Sequence, residues 1–174
     1  MNVNSVTKFT WTNWRGTNWM TPVRDQQMCG SCWAFGPVGS AEAVYNLEHG
    51  KQMNLNLAEE ELVSPCYGGG DAGSCTGGSY SKAIGYMTSG GLVSETNYPY
   101  LSVDEVVKVP NGHLACKVTK SHCSTPVTCV DSTLSKTRWK VTSSGGASGS
   151  VQDVKQALLC HGPLVVASGK WWQS

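Results

Sequence analysis

Eight cysteines in a chain of 174 residues are the feature that most restricts how this sequence can fold. A cytosolic domain of this size normally carries fewer, so the number indicates an oxidising compartment and several disulfides. The length is enough to bury on the order of 70% of the surface of the unfolded chain, so size alone demands no metal or partner. We therefore expect a cross-linked globular protein in an oxidising compartment.

The charge balance excludes two classes of partner. Thirteen Lys and Arg residues offset twelve Asp and Glu residues, which leaves a formal charge of +1. Without a basic run, affinity for nucleic acid or for a membrane surface has no electrostatic source. No apolar stretch approaches the roughly 18 residues that a membrane-spanning helix needs. Residues 1–12 are polar, so any export signal was removed or lies outside this sequence.

Apolar spacing predicts helices over residues 31–48, 57–63, 80–87 and 151–159. Before them, a tryptophan-rich stretch over residues 1–28 lacks a helical period and is expected to form an extended arm. Residues 164–167 are expected to form a buried strand. We assign residues 1–120 to a helical N-terminal lobe with its arm, and residues 121–174 to a partial, β-rich second lobe.

The residues that carry chemistry lie at the start of the first long helix. A thiol becomes a good nucleophile as a thiolate, which the positive end of a helix stabilises, and Cys32 opens this helix. Gln26 lies six residues upstream, in a loop that can return its side-chain amide toward the same thiol. Together with the backbone N–H of Cys32, that amide would form an oxyanion hole.

Two other interpretations of Cys29 and Cys32 remain open from the residues alone. Cysteines separated by two residues at a helix start also form thioredoxin-like redox pairs or contribute to zinc sites. A redox pair normally follows a buried strand, which the arm before Cys29 does not supply, and zinc needs a second close cysteine pair. We therefore favour the nucleophile, and we expect no metal and no cofactor.

The segment from Gln26 to Phe35, with Cys29-Gly30-Ser31-Cys32-Trp33 at its centre, resembles the active-site segment of papain-family cysteine proteases. Further matching blocks follow in the family's order, at residues 13–15, 21–26, 57–66, 75–78 and 97–100. The resemblance covers most of residues 11–100 and returns at residues 151–167. It implies an α+β, papain-like fold of two lobes, in which the helical lobe carries the active-site helix and the second lobe is incomplete, the chain being truncated at its C-terminus.

The resemblance also implies a cysteine-type peptidase that acts on a peptide or protein through an acyl-enzyme, in an extracellular, lysosomal or vacuolar compartment. Cys32 takes the position of the nucleophile and Gln26 that of the oxyanion donor. Gly77 and Gly78 match the glycine stretch along which a substrate backbone extends, because only glycine permits such close approach. Trp33 is assigned to the same binding region, and with Ser31 it supports the helix.

The implied disulfides pair Cys29 with Cys75 and Cys66 with Cys116. Setting Cys32 aside leaves seven cysteines, an odd number, so one thiol is free or lacks its partner. Cys160 is our candidate for that thiol. The remaining two, at positions 123 and 129, are not explained by the family's pattern.

The family's catalytic histidine and asparagine have no match. His161 lies 129 residues after Cys32, near the family's spacing, but its neighbours resemble a loop that enters the second lobe. We therefore expect a surface histidine there, and no peptide hydrolysis at the family's rates. Two interpretations stay open. The chain is an incomplete peptidase, whose partner would be a missing C-terminal segment, or a non-catalytic homologue, a peptide-binding or degenerate secreted protein, with Gln173 in the histidine's place.

Overall fold

A computed structural model describes residues 3–64, 72–102, 107–108, 114–115, 136–147 and 149–167 of the protein. Helices predominate in these ranges and the strands are short, an α+β arrangement. The helices are α1 (Cys32–His49), α2 (Glu60–Val63), α3 (Tyr80–Ser89) and α4 (Val151–His161), preceded by 3₁₀ turns at Val3–Ser5 and Trp11–Asn13. Two antiparallel pairs join β1 (Gly73–Ser74) to β2 (Gly77–Gly78) and β3 (Val107–Lys108) to β4 (Leu114–Ala115).

The long helix α1 organises the core. Its fully buried residues Ala34 and Val38 join a cluster that includes Ala83 and Met87 of α3. The helix runs through Pro37 and ends at Gly50, whose left-handed backbone (φ 63°) suits glycine. The prediction over residues 31–48 is confirmed, as are those for α3 and α4, each of which extends two residues further than expected.

The prediction of a helix over residues 57–63 is wrong for its first half. Leu57 forms an isolated antiparallel bridge with Ser94, and the N–H of Ala58 donates to the carbonyl of Val93 at 3.0 Å. The N–H of Leu57 also donates to the buried carboxylate of Glu42 at 2.7 Å. These bonds hold the backbone extended, so only the last four residues become helical.

The N-terminal arm packs through aromatic side chains, as the sequence predicts. Phe9, Trp11, Trp14 and Trp19 form a chain of ring contacts with centroids 4.8, 5.3 and 6.2 Å apart. The indole N–H of Trp11 donates to the carbonyl of Leu158 at 3.2 Å, which fixes the arm to α4.

The buried strand predicted over residues 164–167 does not form. Val166 is 75% exposed, and the segment pairs with no strand among the described residues. It runs instead along α1, where Ser40 donates to the carbonyl of Pro163 at 2.6 Å and Val165 lies next to Gly36. A lobe boundary near residue 120 stays a prediction, because residues 116–135 lie outside the described ranges. Within those ranges, no helix is both long and apolar enough to cross a bilayer.

Candidate active site

Cys32 begins α1 with an exposed, free thiol. Its neighbour Cys29 is bonded to Cys75, the pairing that the resemblance implied. Cys29 is therefore unavailable as a redox partner of Cys32 or as a thiolate ligand, which removes the thioredoxin-like and zinc interpretations. Cys160 is the second free cysteine of the described residues, and it is also exposed. Cys66 and Cys116 lie outside the described residues.

The residue at the N-cap position of α1 does not cap the helix with its side chain. Ser31 occupies the N-cap position, yet its hydroxyl makes no capping bond and lies 2.7 Å from the hydroxyl of Tyr100. The backbone carbonyl of Ser31 accepts from the N–H groups of Ala34 and Phe35. Within the described part of the chain, the N–H groups of Cys32 and Trp33 have no acceptor, so they can bind an anion at the positive end of the helix.

Gln26 lies in a tight turn that leads into the disulfide. Its side-chain amide donates to the carbonyl of Cys29 at 2.8 Å, and the N–H of Cys29 donates back to the carbonyl of Gln26 at 3.3 Å. The next residue, Gln27, adopts a left-handed backbone (φ 53°) and donates its N–H to Asp25. An amide carries two N–H groups, so one remains for a ligand.

The glycines at positions 73 and 78 make room for Trp33. A Cβ atom on Gly78 would overlap the indole ring, and one on Gly73 would lie 2.8 Å from it. The indole N–H donates to the carbonyl of Ser74 at 3.0 Å, and Trp33 is only 5% exposed. Trp33 therefore packs against the β1–β2 hairpin and supports it, and its assignment to the substrate-binding region stays a prediction. Gly77 is exposed and has nothing near its Cβ position.

A cavity of about 180 Å³ next to the Gln26 turn has two glutamates, Glu59 and Glu95, in its wall. Glu59 lines it and is 4% exposed, and burial raises the pKa of this carboxyl to about 8. Burial raises the pKa of Glu60 to about 7 and that of Glu95 above its ordinary value. Glu59 and Glu60 are thus largely neutral at acidic pH. Arg24 and Tyr100 complete this side of the cavity.

Neither described histidine lies near Cys32. His49 ends α1, 17 residues from Cys32, which corresponds to about 26 Å along the helix. His161 precedes Gly162, whose Cβ position lies 2.9 Å from Val44, itself about 18 Å along α1 from Cys32. His161 is therefore not the base of this site. The histidines at positions 113 and 122 and Gln173 lie outside the described residues.

Tyr100 is the site residue that sequence reasoning missed. It contacts Ser31 and the carbonyl of Gln26 across 69 and 74 positions of the sequence. The block from Asn97 to Tyr100 supplied a signal, since it matched the family, but no local pattern assigned the hydroxyl a partner.

Comparison with known proteins places the sequence among cysteine proteases. The family profile described as "Papain family cysteine protease" matches residues 7–173. Cathepsin L2 of Homo sapiens is 41% identical over 97 residues, which is 55% of this chain and 28% of that protein. The thiol protease aleurain of Arabidopsis thaliana is 39% identical over 110 residues, covering 63% of this chain and 30% of that protein.

A longer match is the probable cysteine protease RD19C of Arabidopsis thaliana, 30% identical over 167 residues, which is 92% of this chain and 38% of that protein. Among solved structures, a Carica candamarcensis cysteine protease in complex with E-64 is 35% identical, with a TM-score of 0.42 over 48% of this chain and 37% of that one. The chain thus spans less than two fifths of the length of these curated relatives.

Proposed function

The chain belongs to the papain family of cysteine proteases, and from this premise we propose that it carries peptidase chemistry with Cys32 as the nucleophile. The observation that carries the proposal is the position of a free, exposed thiol on the first residue of α1. The adjacent disulfide holds the preceding turn, and the side chain of the N-cap residue Ser31 makes no capping bond. A thiolate at this position gains from the positive end of the helix.

In the proposed reaction, the sulfur of Cys32 attacks the carbonyl carbon of a peptide bond. A C–S bond forms as the carbonyl π electrons move to oxygen, and the amide N–H of Gln26 and the backbone N–H of Cys32 stabilise the resulting oxyanion. Collapse expels the amine, which takes up a proton, and water then cleaves the thioester. A base must carry the thiol proton to the amine, and neither His49 nor His161 is placed to do so.

The proposed substrate is an extended peptide or protein segment that passes along the β1–β2 hairpin. Gly77 presents backbone without a side chain, and Gly78 continues that surface above Trp33. A substrate strand could approach such backbone closely enough for main-chain hydrogen bonds. Side-chain preference would then come from other residues.

An oxidising or acidic compartment, extracellular or endolysosomal, suits this chemistry and is part of the proposal. The Cys29–Cys75 disulfide persists in such compartments. The raised pKa values of Glu59 and Glu60 mean that both buried groups are neutral in an acidic lumen. Burying a neutral carboxyl group costs less free energy than burying a charged one, so these two groups make the folded state more stable at acidic pH.

One observation favours a second candidate function, a papain-family protein that binds peptides without cleaving them. His49 lies about 26 Å along α1 from Cys32, and the glycine after His161 lies next to Val44, about 18 Å along that helix. Without a base, the thiol could still hold an electrophile reversibly but would turn over slowly.

A peptidyl aldehyde tests both candidates on the full chain. Its carbonyl should form a reversible hemithioacetal with Cys32, detected as a mass increase, and Cys32→Ala should abolish it. Cys160→Ala is the matched control and should retain the adduct. Hydrolysis of a fluorogenic dipeptide amide that depends on Cys32 would support the peptidase, whereas adduct formation without hydrolysis would support the binding protein. Absence of any adduct at Cys32 would contradict both.

A further inference from the structure

Tyr100 joins the Gln26 turn to the start of α1. Its hydroxyl donates to the backbone carbonyl of Gln26 at 2.9 Å and lies 2.7 Å from the hydroxyl of Ser31. A carbonyl can only accept, so the single proton of Tyr100 is committed to Gln26, and Ser31 must donate its own proton to Tyr100. Burial raises the pKa of Tyr100, so the phenol remains a donor.

The ring of Tyr100 is fixed by the same helix. It packs edge to face against Phe35, with centroids 4.8 Å apart and planes at 90°. Phe35 is three residues after Cys32, one turn into α1. The hydroxyl therefore reaches Gln26 and Ser31 from a ring that is anchored on the active helix itself.

The bond from Ser31 to Tyr100 keeps the helix terminus open. An N-cap serine normally accepts from the N–H of the second or third helical residue, here Trp33 or Ala34. Ser31 is fully buried and its hydroxyl is turned to Tyr100 instead. The positive end of α1 is thus not neutralised by its own cap.

The backbone carbonyl of Gln26 accepts the hydrogen bonds that fix the turn. It accepts from the N–H of Cys29 at 3.3 Å, from Ser102 at 3.3 Å and from Tyr100 at 2.9 Å. The Tyr100 bond is the shortest of the three. It is also the one that connects the turn to the first turn of α1 rather than to the adjacent chain.

We propose that Tyr100 is a positioning residue of the Cys32 site, which holds the Gln26 amide and the open N-terminus of α1 so that both can stabilise one oxyanion. This inference rests on the proposed function, in which those groups form the oxyanion hole. Tyr100 does not touch the reacting atoms in this account. It acts through the turn and through Ser31.

A peptidyl aldehyde probes this arrangement without requiring turnover. The sulfur of Cys32 bonds to the aldehyde carbon as the C=O π electrons move to oxygen, and the resulting tetrahedral oxygen, which also receives the proton of the thiol, accepts hydrogen bonds from the Gln26 amide and the backbone N–H of Cys32. Tyr100→Phe keeps the ring on Phe35 and removes only the hydroxyl. We expect the aldehyde dissociation constant to rise roughly fivefold to tenfold, the worth of one hydrogen bond. Iodoacetamide alkylation of Cys32 creates no tetrahedral oxygen, so its rate should fall by less than the aldehyde affinity does.

Tyr98→Phe is the matched control. Tyr98 is 1% exposed and its hydroxyl donates to Ser64 at 2.9 Å, so its loss removes a buried phenol bond from the same segment. This variant should lower thermal stability as Tyr100→Phe does, yet bind the aldehyde like the wild type. Should Tyr100→Phe fail to fold, Ser102→Ala removes a longer bond to the same carbonyl and should weaken the aldehyde about twofold.

The outcomes separate this inference from the proposed function. If the wild type forms an adduct at Cys32 and Tyr100→Phe binds equally well, the role of Tyr100 is wrong while the nucleophile stands. Equal weakening by Tyr98→Phe and Tyr100→Phe would also overturn it, because the effect would then be general destabilisation. If Ser102→Ala is the variant tested, an unchanged aldehyde dissociation constant would likewise contradict the role of Tyr100. If the wild type forms no adduct at Cys32, the proposed function fails and the inference with it.

Discussion

Trp33 fills the space that side chains at positions 73 and 78 would otherwise take. Sequence reasoning interpreted Gly78 as a glycine that a substrate requires, because the glycine pair matched a family motif. The structure adds an internal reason for the residue, since its missing side chain accommodates an indole ring from α1. A contact between positions 33 and 78 leaves no periodic signal in the sequence, so it could not be predicted.

Gly78→Ala should destabilise the protein by about 2 kcal/mol through overpacking. The added Cβ would overlap Trp33 and approach the carbonyl oxygen of Ala72 to 2.6 Å. The free energy of unfolding in urea measures this. Gly85→Ala is the control, because nothing lies within 4 Å of that helical position and alanine favours a helix. Equal stability of the two variants would contradict the packing argument.

At the scale of elements, the sequence predicted the helices that are stabilised by their own apolar face and mispredicted the start of the one whose backbone is held by distant residues. The apolar periodicity of α1 and α3 is the same periodicity that places Val38, Ala83 and Met87 in one buried cluster, so pattern and structure agree. The start of α2 instead follows hydrogen bonds from distant residues. Glu42 lies 15 positions before Leu57 and holds its N–H, an interaction that outweighs local helix propensity.

Arg138 connects a later segment to α2 and to the end of α3. Its guanidinium pairs with the fully buried carboxylate of Glu61 and donates to the carbonyls of Gly90 and Gly91 at 2.9 and 2.8 Å. Arg138→Met should cost about 3 kcal/mol of unfolding free energy, because it leaves a buried charge without its partner.

The double variant Arg138→Met/Glu61→Gln tests whether that cost is electrostatic. Removing the charge of Glu61 as well should recover part of the lost stability, measured by urea unfolding. If the losses of unfolding free energy in Arg138→Met and Glu61→Gln simply add up in the double variant, the two residues do not interact.

At the scale of the whole molecule, buried carboxyl groups should make stability depend on pH. Burial raises the pKa of Glu59 to about 8 and of Glu60 to about 7, above the unfolded value of 4.5. The folded state thus retains protons that the unfolded chain releases, so stability is greatest below about pH 4.5 and is lost as pH rises toward 8.

Urea unfolding at pH 5 and at pH 8.5 should therefore differ, by on the order of 6 kcal/mol in favour of pH 5. Glu59→Gln places a neutral side chain of the same shape at that position and should reduce the difference to the part that Glu60 contributes. A wild type that is equally stable or more stable at pH 8.5 would contradict the account of these buried groups.

The Cys29–Cys75 disulfide closes a loop across 46 positions and ties the Gln26 turn to the β1–β2 hairpin. Replacing both cysteines by alanine should lower the free energy of unfolding by about 4 kcal/mol, from the chain entropy released in the unfolded state. Cys160→Ala should leave it within about 0.5 kcal/mol, because that thiol is free and exposed. A double variant as stable as the wild type would show that the crosslink does not hold the turn.

Comparing the alkylation rates of two thiols in the same molecule tests the role of Cys32 most directly. Cys32 and Cys160 are both exposed and free, but the first begins α1 and the second lies in the last turn of α4. Because the two ends of a helix carry opposite partial charges, limiting iodoacetamide near pH 6.5 should label Cys32 at least about tenfold faster, as quantified by peptide mass spectrometry. Equal labelling, or faster labelling of Cys160, would contradict the assignment of Cys32 as an activated nucleophile.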